Sequence, residues 1–299
     1  MKLKLSTLII CLFSLVVLMS CGSSGSGEGD SDSTSVDKFG EAQRSLKEGI
    51  KDITSNIPPP SEIPYKIMQT GAEYNQSLIN DRSRVMDYSA QPDKAVLNLG
   101  VYAADIGYLC SYDKTQESID YMNACKRLAD NLGITGSFDP EYIKEFERNI
   151  GNKDKLTALL DKAIKETREK LGDSQRKLGA LLVTGSFMES LYIATGLVKS
   201  YPKDAFNNPK QRMSVLTDLI NTVLKQRASV SDVTNMLGEV EQTELIKLLV
   251  ADLKELEKSY AAVASEEQKK SNDPSRTYND QTLARITPLV EKIRANIVK

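Results

Sequence analysis

The chain has 299 residues, 40% hydrophobic and 27% charged, with a formal net charge of −2. That length supports a sizeable core, and so balanced a charge lacks the basic footprint of a nucleic-acid binder. Histidine is absent, which removes the usual general base near neutral pH and the commonest metal ligand; Ser-His-Asp and Cys-His sites, His-ligated zinc and Glu-x-x-His di-iron bundles are thereby excluded.

Residues 1–20 read as an export signal: Lys2 and Lys4 precede an apolar run, Leu8–Met19, of signal-peptide length and too short to prefer spanning a bilayer. Leu18-Met19-Ser20-Cys21 resembles a bacterial lipobox, which makes Cys21 the expected lipidation site. Several acyl chains of the palmitate type on one cysteine anchor a protein firmly. Gly22 and Ser23 follow, and by resemblance to lipoprotein sorting rules the lack of Asp there points to the outer membrane. Residues 21–37 form a Gly/Ser/Asp tether that cannot bury a core. Its acidic stretch, Glu28, Asp30 and Asp32, resembles surface-export signals of Bacteroidota, and Asp32-Ser33-Thr34 resembles an O-glycosylation site of that phylum.

From residue 38 to 299 the apolar spacing predicts one all-helical domain. A helix through Phe39, Leu46, Ile50 and Ile57 ends at Pro58-Pro59-Pro60, and Pro64 keeps the connection extended. A second helix is expected over Tyr65–Asn80, then a polar loop over Asp81–Gln91. Pro92-Asp93 opens the first of two nearly uncharged helices. In Ala95–Leu109 the one charge is Asp105, and Gly100 and Gly107 flank its densest apolar face, where a second helix can approach closely. Thr115–Leu132 follows, stopped by Gly133; then a short helix capped by Asp139-Pro140; then Asp154–Leu171.

The second nearly uncharged helix starts near Ser174 and contains Leu178–Val198, whose one charge is Glu189. The stretch is of transmembrane length, but its seven Gly, Ser and Thr residues, its central acid and its amphipathic neighbours favour the middle of a soluble bundle. Helices are expected after Pro209, over Val230–Leu237 and over Thr243–Ser265. A polar loop over Glu266–Tyr278 precedes a last helix that Pro288 either kinks or starts. The fold class is therefore all-α: a multi-helix bundle of about ten helices around two central ones.

Aligning Asp105 with Glu189 brings Tyr108 onto Tyr192, Leu97 onto Leu181 and Leu99 onto Val183. Two similar helical halves would produce this, and so would chance agreement between two apolar helices. Asp105 and Glu189 are the leading site candidates, because a carboxylate inside an apolar helix must be paired, hydrogen-bonded or protonated. Three outcomes are open: a narrow water-facing stripe joining Asn98 to Asp105, structural hydrogen bonds, or a ligand or cation site. Asn98, Tyr102, Tyr108 and Tyr192 complete the ligand-binding candidates, with Tyr112 and Tyr121 nearby. Tyr also suits the boundary between core and surface. Cys110 and Cys125 sit about 12 Å out of register in a helical hairpin, too far apart for a disulfide, so two buried thiols are expected. No catalytic residue, metal ligand or cofactor motif is assigned.

The segments NLGVYAADIGYL, ESIDYMNACKRLADNLGI, FERNIGNKDKL and ESLYIATGL, with IPYKIMQTGAEYNQSLIN before them, resemble a family of Bacteroidota outer-membrane or envelope lipoproteins over most of Ile57–Val198. The family has no assigned activity, so the resemblance implies an envelope location and supplies no catalytic residues. The expected role is a lipid-anchored, non-enzymatic interaction module facing the periplasm or the exterior, with an envelope protein or a small ligand as partner. The alternatives are a small-ligand or cation site at Asp105 and Glu189 and, last, a carboxylate-based hydrolase.

Overall fold

The structure is a computed structural model, and it describes residues 56–134, 138–149, 151–171, 176–201, 209–269 and 281–299. Residues 1–20, the tether, Cys21 and the helix expected around Phe39–Ile53 lie outside them, as does most of the loop expected over Glu266–Tyr278. Every regular element among the described residues is helical: α1 (Glu62–Gln69), α2 (Val85–Tyr88), α3 (Pro92–Ser111), α4 (Thr115–Asn131), α5 (Pro140–Arg148), α6 (Lys153–Leu171), α7 (Arg176–Ser200), α8 (Pro209–Leu224), α9 (Arg227–Gly238), α10 (Glu244–Lys269) and α11 (Thr287–Ile297).

The two nearly uncharged helices are the centre. Every residue of α3 from Ala95 to Ser111 is buried, as is almost all of α7 from Gly179 to Val198. They make the most extensive helix pairing in the molecule. Asp93 pairs with Lys177 at 3.1 Å, Gly100 meets Leu182 and Ser186, and Asp105 meets Glu189. Both numbers in each pair rise together, so the helices run parallel, and the 84-residue offset that aligns their sequences is also their register in space. Parallel neighbours need a long crossover, which α4, α5 and α6 provide. α7 is long and apolar enough to cross a membrane by length and composition, yet 94% of its apolar window is buried inside the fold. It is the core helix that the Gly/Ser/Thr content indicated.

The glycines permit this closeness. A Cβ on Gly100 would stand 2.2 Å from the Leu182 carbonyl oxygen of α7, whereas one on Gly107 would meet, at 2.9 Å, the Pro60–Ser61 backbone leading into α1 and not the second helix expected there. Around the pair, α4 and α6 cover α3, while α8, α9 and α11 cover α7, each by an amphipathic face.

Several boundaries differ from the sequence reading. The expected helix Tyr65–Asn80 is α1, starting earlier and ending at Gln69. Pro64 is accommodated in its first turn, where the missing N–H has no helical partner to lose. Gly71 then takes φ +82, a left-handed conformation that ends the helix. The expected loop Asp81–Gln91 instead holds a 3₁₀ turn at Arg82–Arg84 and α2, which buries Val85 and Tyr88. α10 runs to Lys269, beyond the expected Ser265. Pro288 starts α11 and does not kink it. Asp139 caps α5 by accepting the Tyr142 N–H at 2.8 Å, and Gly133 ends α4 with φ +70, both as read from sequence. Cys110 and Cys125 are buried free thiols.

Candidate functional site

Of the three open outcomes, the water-facing stripe is ruled out: Asn98, Asp105 and Glu189 are each 0% exposed. The wheel placed Asn98 and Asp105 on one side of α3 correctly, but that side faces α11 and the segment before α2, so it is a buried seam. Asn98 Nδ2 donates to the carbonyl oxygens of Lys94 and Ile297, both at 3.0 Å.

Asp105 on α3 and Glu189 on α7 lie side by side across the helix pair, close enough to feel each other's charge and to share a hydrogen bond once one of them holds a proton. Glu189 also receives a bidentate pair from Arg294 on α11: Nε donates to Oε2 at 3.0 Å and an η-nitrogen donates to Oε1 at 3.1 Å. The Arg294 side chain is 16% exposed, and its guanidinium lies 4.5 Å above the Tyr192 ring, a cation–π contact that screens it from solvent. Asp105 Oδ2 accepts the Asn80 backbone N–H at 3.2 Å, while its buried Oδ1 is reached by no donor.

One guanidinium, bonded to Glu189, stands beside two fully buried acids. Burial pushes Asp105 well above the usual carboxylate range, and the Glu189 charge pushes the same way; Arg294 and the Asn80 N–H oppose them. Burial raises Glu189 too, with Arg294 pulling it back. Burial thus favours one proton on the acid pair, and the bidentate Arg294 bond to Glu189 makes Asp105 the better place for it. A proton on Asp105 cancels the surplus negative charge and supplies the donor that the acid–acid contact needs.

Arg294 was not among the candidates read from sequence. A signal was present: it falls four residues after Val290 and three before Ile297, on the inward face of α11. Two lone acids on neighbouring helices also require a cation.

The tyrosine hydroxyls are hydrogen-bonded within the fold. Tyr121 donates to the Asn80 carbonyl oxygen at 2.6 Å, Tyr102 to that of Asp81 at 3.0 Å, and Tyr112 to that of Ala72 at 2.7 Å. Tyr108 accepts the Asn75 N–H at 2.9 Å. Tyr88 meets the Asn80 side chain at 3.2 Å. Four of these hydroxyls bond backbone groups of Ala72–Asp81, a segment whose own turn satisfies only part of its backbone, while Tyr88 divides its hydroxyl between the Asn80 side chain and the Val298 carbonyl oxygen. This is why α1 can stop early at little cost. Tyr102 and Tyr108 are fully buried, and the Tyr192 ring lies beneath the Arg294 guanidinium.

An open groove of about 820 Å³ runs along α4 and the 3₁₀ turns before α2. Gln76, Arg82, Asp120, Asn123 and Arg127 are among its polar lining, and Tyr121 and Ile79 form part of its floor. Arg82 bridges it to Asp120 at 3.0 Å. The described residues hold no cluster of metal-ligating side chains.

The fold and this site define an all-α bundle built around a buried acid–acid–arginine cluster. No family model, no curated protein and no solved structure matches the chain.

Proposed function

We propose that the chain is a bacterial envelope lipoprotein, held at the outer membrane by lipid on Cys21, whose helical body is a non-enzymatic binding module. The tether places that body within a short reach of the bilayer. The groove along α4 carries the binding half of the reading. Its volume is in the range of ligand and peptide sites, its lining is polar and accessible, and its floor is pinned by the tyrosines. An envelope protein presenting mixed charge would find Arg82, Asp120 and Arg127 in reach.

The test is a photo-crosslinking residue placed at Asn123 in cells, with a second at Lys254 on α10 for comparison. A discrete adduct from Asn123 and none from Lys254 supports the module. Equal labelling, or none at either position, defeats it. Protease shaving of the same cells reports which face of the membrane carries the domain, and Cys21→Ala should move the protein into the aqueous fraction.

A second reading, a small-ligand or cation site at Asp105 and Glu189, is favoured by the meeting of the two carboxyls. Arg294 already supplies a cation there, so an added one would have to displace α11. Native mass spectrometry showing a bound species lost in Asp105→Asn would support this reading. A hydrolase is less well served: both carboxyls are fully buried, whereas glycosidase chemistry needs them flanking a bond held in an open cleft.

A further inference from the structure

Four elements converge on one buried cluster. Asp105 comes from α3, Glu189 from α7, Arg294 from α11, and the Asn80 N–H from the segment that follows α1. The cluster is also the polar seat of the C-terminal helix. Beside Arg294, the end of α11 is held by two more buried contacts: Asn98 donates to the Ile297 carbonyl oxygen, and the Tyr88 hydroxyl donates to that of Val298 at 3.3 Å. Further polar ties of α11 are Lys199 with Glu291, and Lys292 and Asn296 with the half-buried Asp252; the two lysine side chains are exposed, and pairs of that kind contribute little.

One guanidinium cannot balance two ionised carboxylates inside a core. With a proton on the acid pair the cluster is neutral overall and every contact has a donor and an acceptor. Without it, one net negative charge is buried, the acid–acid hydrogen bond loses its donor, and two anions repel at contact distance. The cheapest relief is for α11 to lift away, because that admits water to both acids.

We propose that Asp105, Glu189 and Arg294 form a proton-operated clasp: one proton on the acid pair seats the C-terminal helix against α3 and α7, and loss of that proton accompanies its release.

The other titratable groups facing Asp105 do not compete for this role. Tyr102 stands on its own helix, Tyr121 and Cys125 on α4, and Tyr74 on the segment after α1. Burial raises all four, so they stay neutral where the clasp works. Tyr88, which faces Arg294, is raised in the same way. Tyr192 lies under the guanidinium, and its ring face is the part in contact.

The experiment is hydrogen exchange on the full chain, corrected for the chemical rate, between about pH 5 and about pH 9. Because opening α11 releases a proton, its opening equilibrium should rise about tenfold per pH unit until the seated cluster itself ionises. α9 should show no such slope. Asp105→Asn keeps a donor toward Glu189 and an acceptor for the Asn80 N–H but holds no titratable proton, so it should flatten the α11 slope. A wild-type α11 with no pH slope, or the same slope in Asp105→Asn, overturns the clasp. Infrared spectroscopy keeps the test decisive should the variant fail to fold. The folded wild type at neutral pH must show a protonated-carboxyl carbonyl band that disappears on unfolding, and absence of that band also overturns the proposal.

Discussion

Gly185 lies against Leu97 so closely that a Cβ on the glycine would stand 2.0 Å from the Leu97 carbonyl oxygen. No side chain can yield there, because the obstacle is backbone. Backbone contact at this crossing brings α3 and α7 near enough for Asp105 to reach Glu189, so the packing of two glycines is a condition for the charged cluster four to five residues further along.

Gly185→Ala and Gly100→Ala should each destabilise by about 3–5 kcal/mol, the upper end for point substitutions, since the helices must part. Gly179→Ala is the control on the same helix. Its added methyl would meet nothing closer than the Arg168 Cγ at 3.8 Å, so it should stabilise by about 0.5–1 kcal/mol through helix propensity. Urea denaturation of the three variants checks this; equal effects would refute the close crossing.

Arg294→Met should cost about 3–5 kcal/mol, because it strands an ionised Glu189 in the core. Adding Glu189→Leu to it should recover much of the loss, as buried ion pairs often exchange for apolar ones at little net cost. A double-mutant cycle measures the coupling. Additive losses would mean that the two side chains do not interact.

Tyr121→Phe removes the 2.6 Å bond to the Asn80 carbonyl oxygen and should cost about 1–2 kcal/mol, with exchange protection lost first around Asn75–Asp81. Tyr192→Phe keeps the ring beneath Arg294 and should change stability by less than about 0.5 kcal/mol. If the two phenylalanine variants behave alike, the tyrosines do not pin that segment.

Cys110 should resist thiol reagents in the native state well above neutral pH, because burial pushes its thiol up to about 12, and only the thiolate reacts. The sign for stability follows: an unfolded thiol ionises near about 8.5, so the native state holds the proton more tightly. The contribution from Cys110 is present below that value and is lost as pH rises toward 12. Labelling with and without denaturant reads both thiols, and rapid native labelling of Cys110 at neutral pH would contradict its burial.

Much of this molecule was legible from residue order. Helical periodicity settles secondary-structure class locally, and two long stretches with one charge apiece must be buried wherever the chain goes. Hence the all-α class, the two central helices, the close helix approach at Gly100, the free thiols and the choice of Asp105 and Glu189 as the groups needing explanation could all be read from spacing and composition. What required the folded coordinates was every relation between distant segments. A wheel shows that Asn98 and Asp105 share a side but not what covers it; α11, almost two hundred residues later, is the cover. Arg294 looks like any other surface cation until that helix docks and brings it to Glu189. The early end of α1 was hidden for the same reason: its apolar spacing continues past Gly71, and only tyrosines contributed by α2, α3 and α4 make the irregular path cheaper than another turn of helix. Local pattern reports what a residue needs, and long-range packing determines which residue meets that need.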